Sequence, residues 1–147
     1  MGTKMGMERG RKMKKVAISG YFDPLHVGHL EYIKLAKELG DHLIVIVNND
    51  AQCELKKGRA FMNEHDRVEI VRSLKLVDEV FLSIDVESHV CTSLEVLQPD
   101  IFANGGDRHV NEVPESVVCE KYDIQMVDGL GDKIRSSSDL TGLKQFK

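Results

Sequence analysis

Short apolar runs alternate with longer amphipathic ones along most of the chain. Lys15-Val16-Ala17-Ile18-Ser19 reads as a buried strand closed by Gly20. Val27–Leu39 reads as a helix whose apolar stripe is Leu30, Ile33, Leu35, Ala36 and Leu39, with Gly40 as its stop. His42–Val47, nearly all β-branched or Leu, has the pattern of a strand covered on both faces. Asn48–Met62 is polar and reads as a loop. Asn63 then caps a helix over Glu64–Leu74, with Val68, Ile70, Val71 and Leu74 inward. Glu79–Ser83 is a third strand, Ser88–Leu97 a helix closed by Pro99, and Asp100–Ala103 a fourth strand. A helix over Pro114–Lys121, with proline in its first turn, leads to a fifth strand at Ile124–Val127. A glycine-rich loop and a last helix from about Ser137 complete the pattern.

Such alternation predicts an α/β fold: a Rossmann-like parallel five-stranded sheet with helices on both faces. Ligands of such sheets bind beyond the carboxyl ends of the strands, at the switch point. Four loops are thereby selected: Gly20–His29, Asn48–Phe61, Asn104–Val113 and Asp128–Ser138.

Composition narrows the class. The chain has 147 residues, 41% of them hydrophobic, which suits one domain with one core. No apolar run approaches a membrane span. Cys53, Cys91 and Cys119 are scattered without a CxxC pair. They read as small apolar fillers in a reducing, cytoplasmic setting. The net charge of −4 is uneven, because residues 1–15 carry six basic residues against one acid. Residues 1–13 are expected to be a flexible basic segment, and 14–147 the single domain. The acidic body argues against a broad nucleic-acid surface.

The first selected loop carries the strongest chemistry. Gly20-Tyr21-Phe22-Asp23-Pro24-Leu25-His26-Val27-Gly28-His29 puts two histidines at i and i+3 at a helix start. Gly28 is expected to leave room for a ligand beside the backbone. The helix N-terminus adds free N–H groups and a positive dipole end, so the whole suits a triphosphate. Two rival readings are a pair of structural histidines and an HxxH zinc site. No carboxylate or cysteine follows at a spacing that would complete the zinc site.

The string Gly20–His29 resembles the HxGH signature of the cytidylyltransferase-like nucleotidyltransferases, and the resemblance runs from about Lys15 to Leu140. It implies that His26 and His29 stabilise the α-phosphate in the transition state. It further implies that a lysine after the second strand, Lys57 or else Lys56, holds the triphosphate. Tyr21, Phe22, Asp23 and Gly28 fall in the same nucleotide-binding string. His65-Asp66-Arg67 resembles an E-x-R segment, with Arg67 either reaching the site or holding the loop. Asn104-Gly105-Gly106-Asp107 resembles a GGD segment near base and sugar, where Asp107 binds ribose hydroxyls or orients the acceptor. Arg135-Ser136-Ser137-Ser138 resembles an ISTT/ISSS segment that holds phosphate oxygens at a helix start.

On this resemblance the chain is expected to transfer a nucleotidyl group from ATP or CTP to a phosphorylated small molecule with release of pyrophosphate, as in sugar- or polyol-phosphate activation. Mg²⁺ accompanies the nucleotide, and relatives form homodimers. No resident metal, nucleic acid or membrane partner is expected. Asn48-Asn49-Asp50 and Gly105–Asp107 lean toward ATP, and the chain lacks the R-T-E-G of cytidylyl-transferring relatives. A rival class is a catalytically inactive nucleotide sensor on the same fold. It predicts loss of a histidine or of the basic loop, and both are intact.

Overall fold

A computed structural model of the chain describes residues 13–105 and 114–130. The apolar runs form the middle of a sheet. Val16, Ala17 and Ile18 are 0% exposed in β1 (Lys15–Gly20), and Leu43–Val47 are at most 2% exposed in β2 (His42–Val47). Burial on both faces is why these strands read as continuous apolar segments. The remaining strands are β3 (Glu79–Leu82), β4 (Ile101–Gly105) and β5 (Gln125–Leu130). All pair in parallel, in the order β3-β2-β1-β4-β5. The chain winds outward from β1 to β3, then crosses back to β4 and β5. The switch point therefore lies between β1 and β4.

Among the described residues five helices cover the sheet: α1 (Val27–Lys37), α2 (Asp50–Lys57), α3 (Glu64–Arg72), α4 (Cys91–Leu97) and α5 (Glu115–Lys121). Val16, Ile18, Val45 and Ala103 pack with Ile33 and Ala36 of α1 and Val71 of α3. Ala17, Ile44, Ile46 and Phe102 pack with Leu94 of α4 and Val118 of α5. Alternate strand residues thus face two different pairs of helices.

Several expectations are corrected. The predicted loop Asn48–Met62 contains α2. Asn49 accepts from the Gln52 amide at 2.9 Å and Gln52 Oε1 accepts from the Asn49 amide at 3.0 Å, a reciprocal cap. Gly58, at φ +92°, ends the helix. Leu55 is 63% exposed, so α2 has no apolar stripe for a periodicity argument to find. Leu30 and Ile70, expected inward, are 43% and 40% exposed. α4 begins at Cys91 rather than Ser88, because Asp85 accepts from the Thr92 and Ser93 amides and fixes the helix start there. Asn104 and Gly105 belong to β4, and β5 runs on through Gly129 to Leu130. The helix expected from Ser137 lies outside the described residues.

Candidate active site

The loop after β1 is built around Phe22. Its φ of +51° folds the ring back under the strand end, and a Cβ on Gly20 would stand 2.8 Å from Phe22 Cζ. The buried ring then meets His29 edge-on, with 4.9 Å between centroids. Phe22 therefore acts as a floor beneath His29.

His26 is the N-cap of α1. Its Nδ1 accepts from the Gly28 amide at 3.1 Å, and His29 Nδ1 accepts from the His26 amide at 3.1 Å. This reciprocal bonding stacks the two rings, centroids 3.9 Å apart and planes 29° from parallel. With each Nδ1 accepting, the neutral rings carry their proton on Nε2, as donors. Burial, with the His26 charge as a second cause, pushes His29 down to about 4. His29 is therefore neutral at pH 7.

Two expectations change here. A Cβ on Gly28 would lie 2.9 Å from His26 Cε1, so the space over this glycine belongs to the His26 ring and not to a ligand. The amides of Gly28, His29 and Leu30 all bond within the cap, so they are not the free donors the sequence suggested. The ring edges take over as donors.

Asp23 is also reassigned. Its side chain is 0% exposed and accepts from the Phe61 and Met62 amides, each at 2.7 Å. Lys57 Nζ lies 2.9 Å from Asp23 Oδ2 and 2.9 Å from its carbonyl oxygen. Burial alone would raise the Asp23 carboxyl, but the bonds from Phe61, Lys57 and Met62 outweigh it and hold it below its usual range. Asp23 thus ties Lys57 and the α2–α3 connection to the first loop, with its carboxylate turned to those donors rather than to a nucleotide. Lys56 Nζ sits 4.6 Å over the Tyr21 ring.

Arg67, left open between two roles, holds the loops. It is 0% exposed and bonds to the carbonyls of Met62 at 2.9 Å, Tyr21 at 2.9 Å and Asn48 at 2.6 Å. It also pairs with Asp50 at 2.7 Å. One guanidinium joins the ends of β1 and β2, the start of α2 and the entry to α3. His65 is exposed.

The strand ends complete a cleft of about 470 Å³, within the range of small-molecule sites. It gathers Tyr21, Phe22, Asp23, His26, His29, Lys57, Asn104 and Gly105 from the residues named by sequence. Asp107, Arg135, Ser136, Ser137 and Ser138 lie outside the described residues. Sequence reasoning missed Tyr32, whose hydroxyl donates to the Ala103 carbonyl at 2.7 Å, and the 1% exposed Glu115, which accepts from the Val90 amide at 3.0 Å. Among the described residues, no cluster of three His, Cys, Asp or Glu side chains is placed to hold a metal.

A family model described as cytidylyltransferase-like matches residues 17–138, which include β1 from Ala17 onward, β2 to β5 entire and the whole of this cleft's described wall. The chain belongs to the cytidylyltransferase-like family. Membership makes it a nucleotidyltransferase. The FAD synthase of Thermococcus kodakarensis is 40% identical over 120 residues, covering 78% of this chain and 72% of that protein. The bifunctional protein HldE of Geotalea uraniireducens is 35% identical over 143 residues, covering 89% of this chain and 29% of that protein. The chain thus spans well under half of HldE. A crystal structure of the lipopolysaccharide core biosynthesis protein from Thermoplasma volcanium superposes with a TM-score of 0.68 at 28% identity, covering 80% of this chain and 96% of that one. No described helix is long and apolar enough to cross a membrane.

Proposed function

We propose that this cytidylyltransferase-like protein transfers an adenylyl group from ATP to a phosphorylated small molecule and releases pyrophosphate. The stacked His26–His29 pair carries the reading: both Nδ1 atoms are held by backbone amides, so both Nε2–H groups remain as donors. An acceptor phosphate oxygen attacks the α-phosphorus in line with the departing pyrophosphate. The phosphate is already ionised, so no general base is required. The two imidazoles donate to the oxygens on which negative charge builds. Lys57 exchanges Asp23 for the leaving phosphates, with Lys56 beside it. Tyr21 and Gly105 border the nucleotide. Arg135, Ser136, Ser137, Ser138 and Asp107 complete its binding.

ATP is favoured because the relatives named FAD synthase form a product that contains an adenylyl group. Mg²⁺ fits as a companion of the nucleotide. It keeps several waters and is held largely by phosphates, so it needs no dedicated protein cage. Bound there, it would neutralise phosphate charge. The same reading takes residues 14–147 as one catalytic domain, 1–13 as a basic segment outside it, and the working unit as a cytoplasmic homodimer.

A pyrophosphate-release screen crossing ATP, CTP, GTP and UTP with sugar phosphates, polyol phosphates and FMN tests the reaction. ATP is expected to give the highest turnover. His26→Ala and His29→Ala should each lower kcat by about 10²–10³. Full turnover in either variant would sink the role given to the imidazoles.

A further inference from the structure

On the reaction set out above, we propose that Asn104 and Glu115 select the acceptor by binding hydroxyl groups on the carbon chain next to its phosphate, across the sheet from the two histidines.

Strand alternation divides the cleft. Ile101 and Ala103 of β4 face α1 and α3, while Phe102 faces α4 and α5. Asn104 follows Phe102 by two residues, where the β4–β5 register shifts, and lines the cleft. Ser19 follows Ala17 of β1 in the same way, and Asn48 follows Ile46 beyond β2. Glu115, at the first position of α5, joins them from the helix side, bonded to the amide that precedes α4. His26, His29 and Tyr32 belong to the α1 side. The cleft therefore has an imidazole half and a second half built of hydroxyl, amide and carboxylate groups.

Two observations say what the second half takes. Asn104 is 2% exposed, yet its Nδ2 has no hydrogen-bond partner; no other buried side-chain polar atom among the described residues is in that state. A buried amide lacking a partner is unfavourable, and a ligand atom at the cleft relieves it. Glu115 lines the same cleft, and its buried side chain, which accepts from the Val90 amide, puts an acid rather than a cation in this half. The cleft's described cations, Lys56 and Lys57, lie instead with Tyr21 and Asp23. An uncharged oxygen that accepts from the Asn104 amide suits this half better than a phosphate does, and an alcohol supplies one. In-line attack brings the acceptor in opposite the pyrophosphate, which places its body here.

Sugar phosphates, polyol phosphates and the ribityl phosphate of FMN all present such hydroxyls. The screen above separates these sources. The selected acceptor is then compared with its deoxy counterpart: glycerol 3-phosphate with 3-hydroxypropyl phosphate, or FMN with a flavin bearing a phosphopentyl chain. Wild type, Asn104→Ala and Glu115→Gln are measured for KM of acceptor, KM of ATP, kcat and Tm. Wild type should favour the hydroxylated acceptor at least about 100-fold in kcat/KM. Asn104→Ala should reduce that preference at least about tenfold, leave KM for ATP within about twofold and keep or raise Tm, since it removes an unpartnered buried amide. Glu115→Gln should raise acceptor KM and weaken the same preference.

An unchanged preference in both variants would overturn the assignment. So would a rise in KM for ATP with acceptor KM unmoved, which would give these groups to the nucleotide's ribose. A fall in Tm of Asn104→Ala without a change in selectivity would make the asparagine structural. Absence of pyrophosphate release with every acceptor would instead sink the adenylyl-transfer reaction itself.

Discussion

Replacing Arg67 with methionine tests the anchoring of the cleft. The guanidinium is 0% exposed and makes four hydrogen bonds of 2.6 to 2.9 Å. Each bond to a charged group contributes about 1.5–3 kcal/mol, set against the desolvation of the cation. What remains after its removal decides the outcome. The Asp50 side chain is 36% exposed and regains water, so its loss is small. The Asn48 carbonyl has its bond in the interior and regains nothing. The three carbonyls left without their donor, at about 1–3 kcal/mol each where water does not reach, put the balance at about 3–5 kcal/mol. Lysine keeps the charge but offers three donors on one atom, so Arg67→Lys should recover at most roughly half of that. Urea unfolding followed by circular dichroism measures both variants. Because Arg67 fastens the Tyr21 and Asn48 backbones together, the variants should also lose about 10²-fold in kcat/KM from misplacement alone. Arg67→Met lying within about 1 kcal/mol of wild type would refute the anchoring role.

Asp23→Asn should destabilise by about 1.5–3 kcal/mol, since an amide nitrogen would face the Phe61 or Met62 N–H, and it should alter KM for ATP by releasing Lys57; an unmoved KM would argue that Lys57 does not touch the nucleotide. His29, held at about 4 against an ordinary 6.5, binds fewer protons folded than unfolded. Its share of stability is complete above about pH 6.5 and is lost as pH falls toward 4, so unfolding free energies of wild type and His29→Gln should converge across that window. Cys53 and Cys119 are buried, and burial pushes Cys91 and Cys119 up to about 11, so a thiol reagent at pH 7.5 should label the folded protein slowly and all three cysteines quickly in urea.

The sheet was legible because its strands are buried on both faces, which leaves uninterrupted apolar runs such as Leu43–Val47. The histidine pair was legible because its spacing fixes a shared helix face. The missed features share a different origin. α2 lies on the surface and is held by caps, so the signal for it was Asn49 three residues before Gln52 and not periodicity. Arg67 was named with its role open between reaching the site and holding the loop, and Asp23 as part of the nucleotide-binding string; what local sequence left undecided is their burial by distant partners, since composition places polar residues at the surface by default. Glu115 reads as an ordinary first-turn acid; its contact with Val90 depends on how two helices meet beyond the strands. Local sequence carries no trace of that meeting.

The electrostatic setting bears on how such a cleft accelerates the proposed reaction. The chain as a whole is acidic, so long-range attraction does little to draw in a triphosphate. Binding then falls to local groups: Lys56 and Lys57 among the described residues, the proposed Arg135, and neutral donors. His29 rests uncharged because it is buried and because a second cation stacked 3.9 Å away is unfavourable. Anionic oxygens placed at Nε2 reverse both causes, and the proton affinity of the ring grows with the negative charge opposite it. That charge is greatest in the transition state. A permanently cationic pair would bind the ground-state triphosphate almost as strongly and gain little in rate. A His29 ring held neutral until charge develops concentrates its stabilisation at the point where it lowers the barrier.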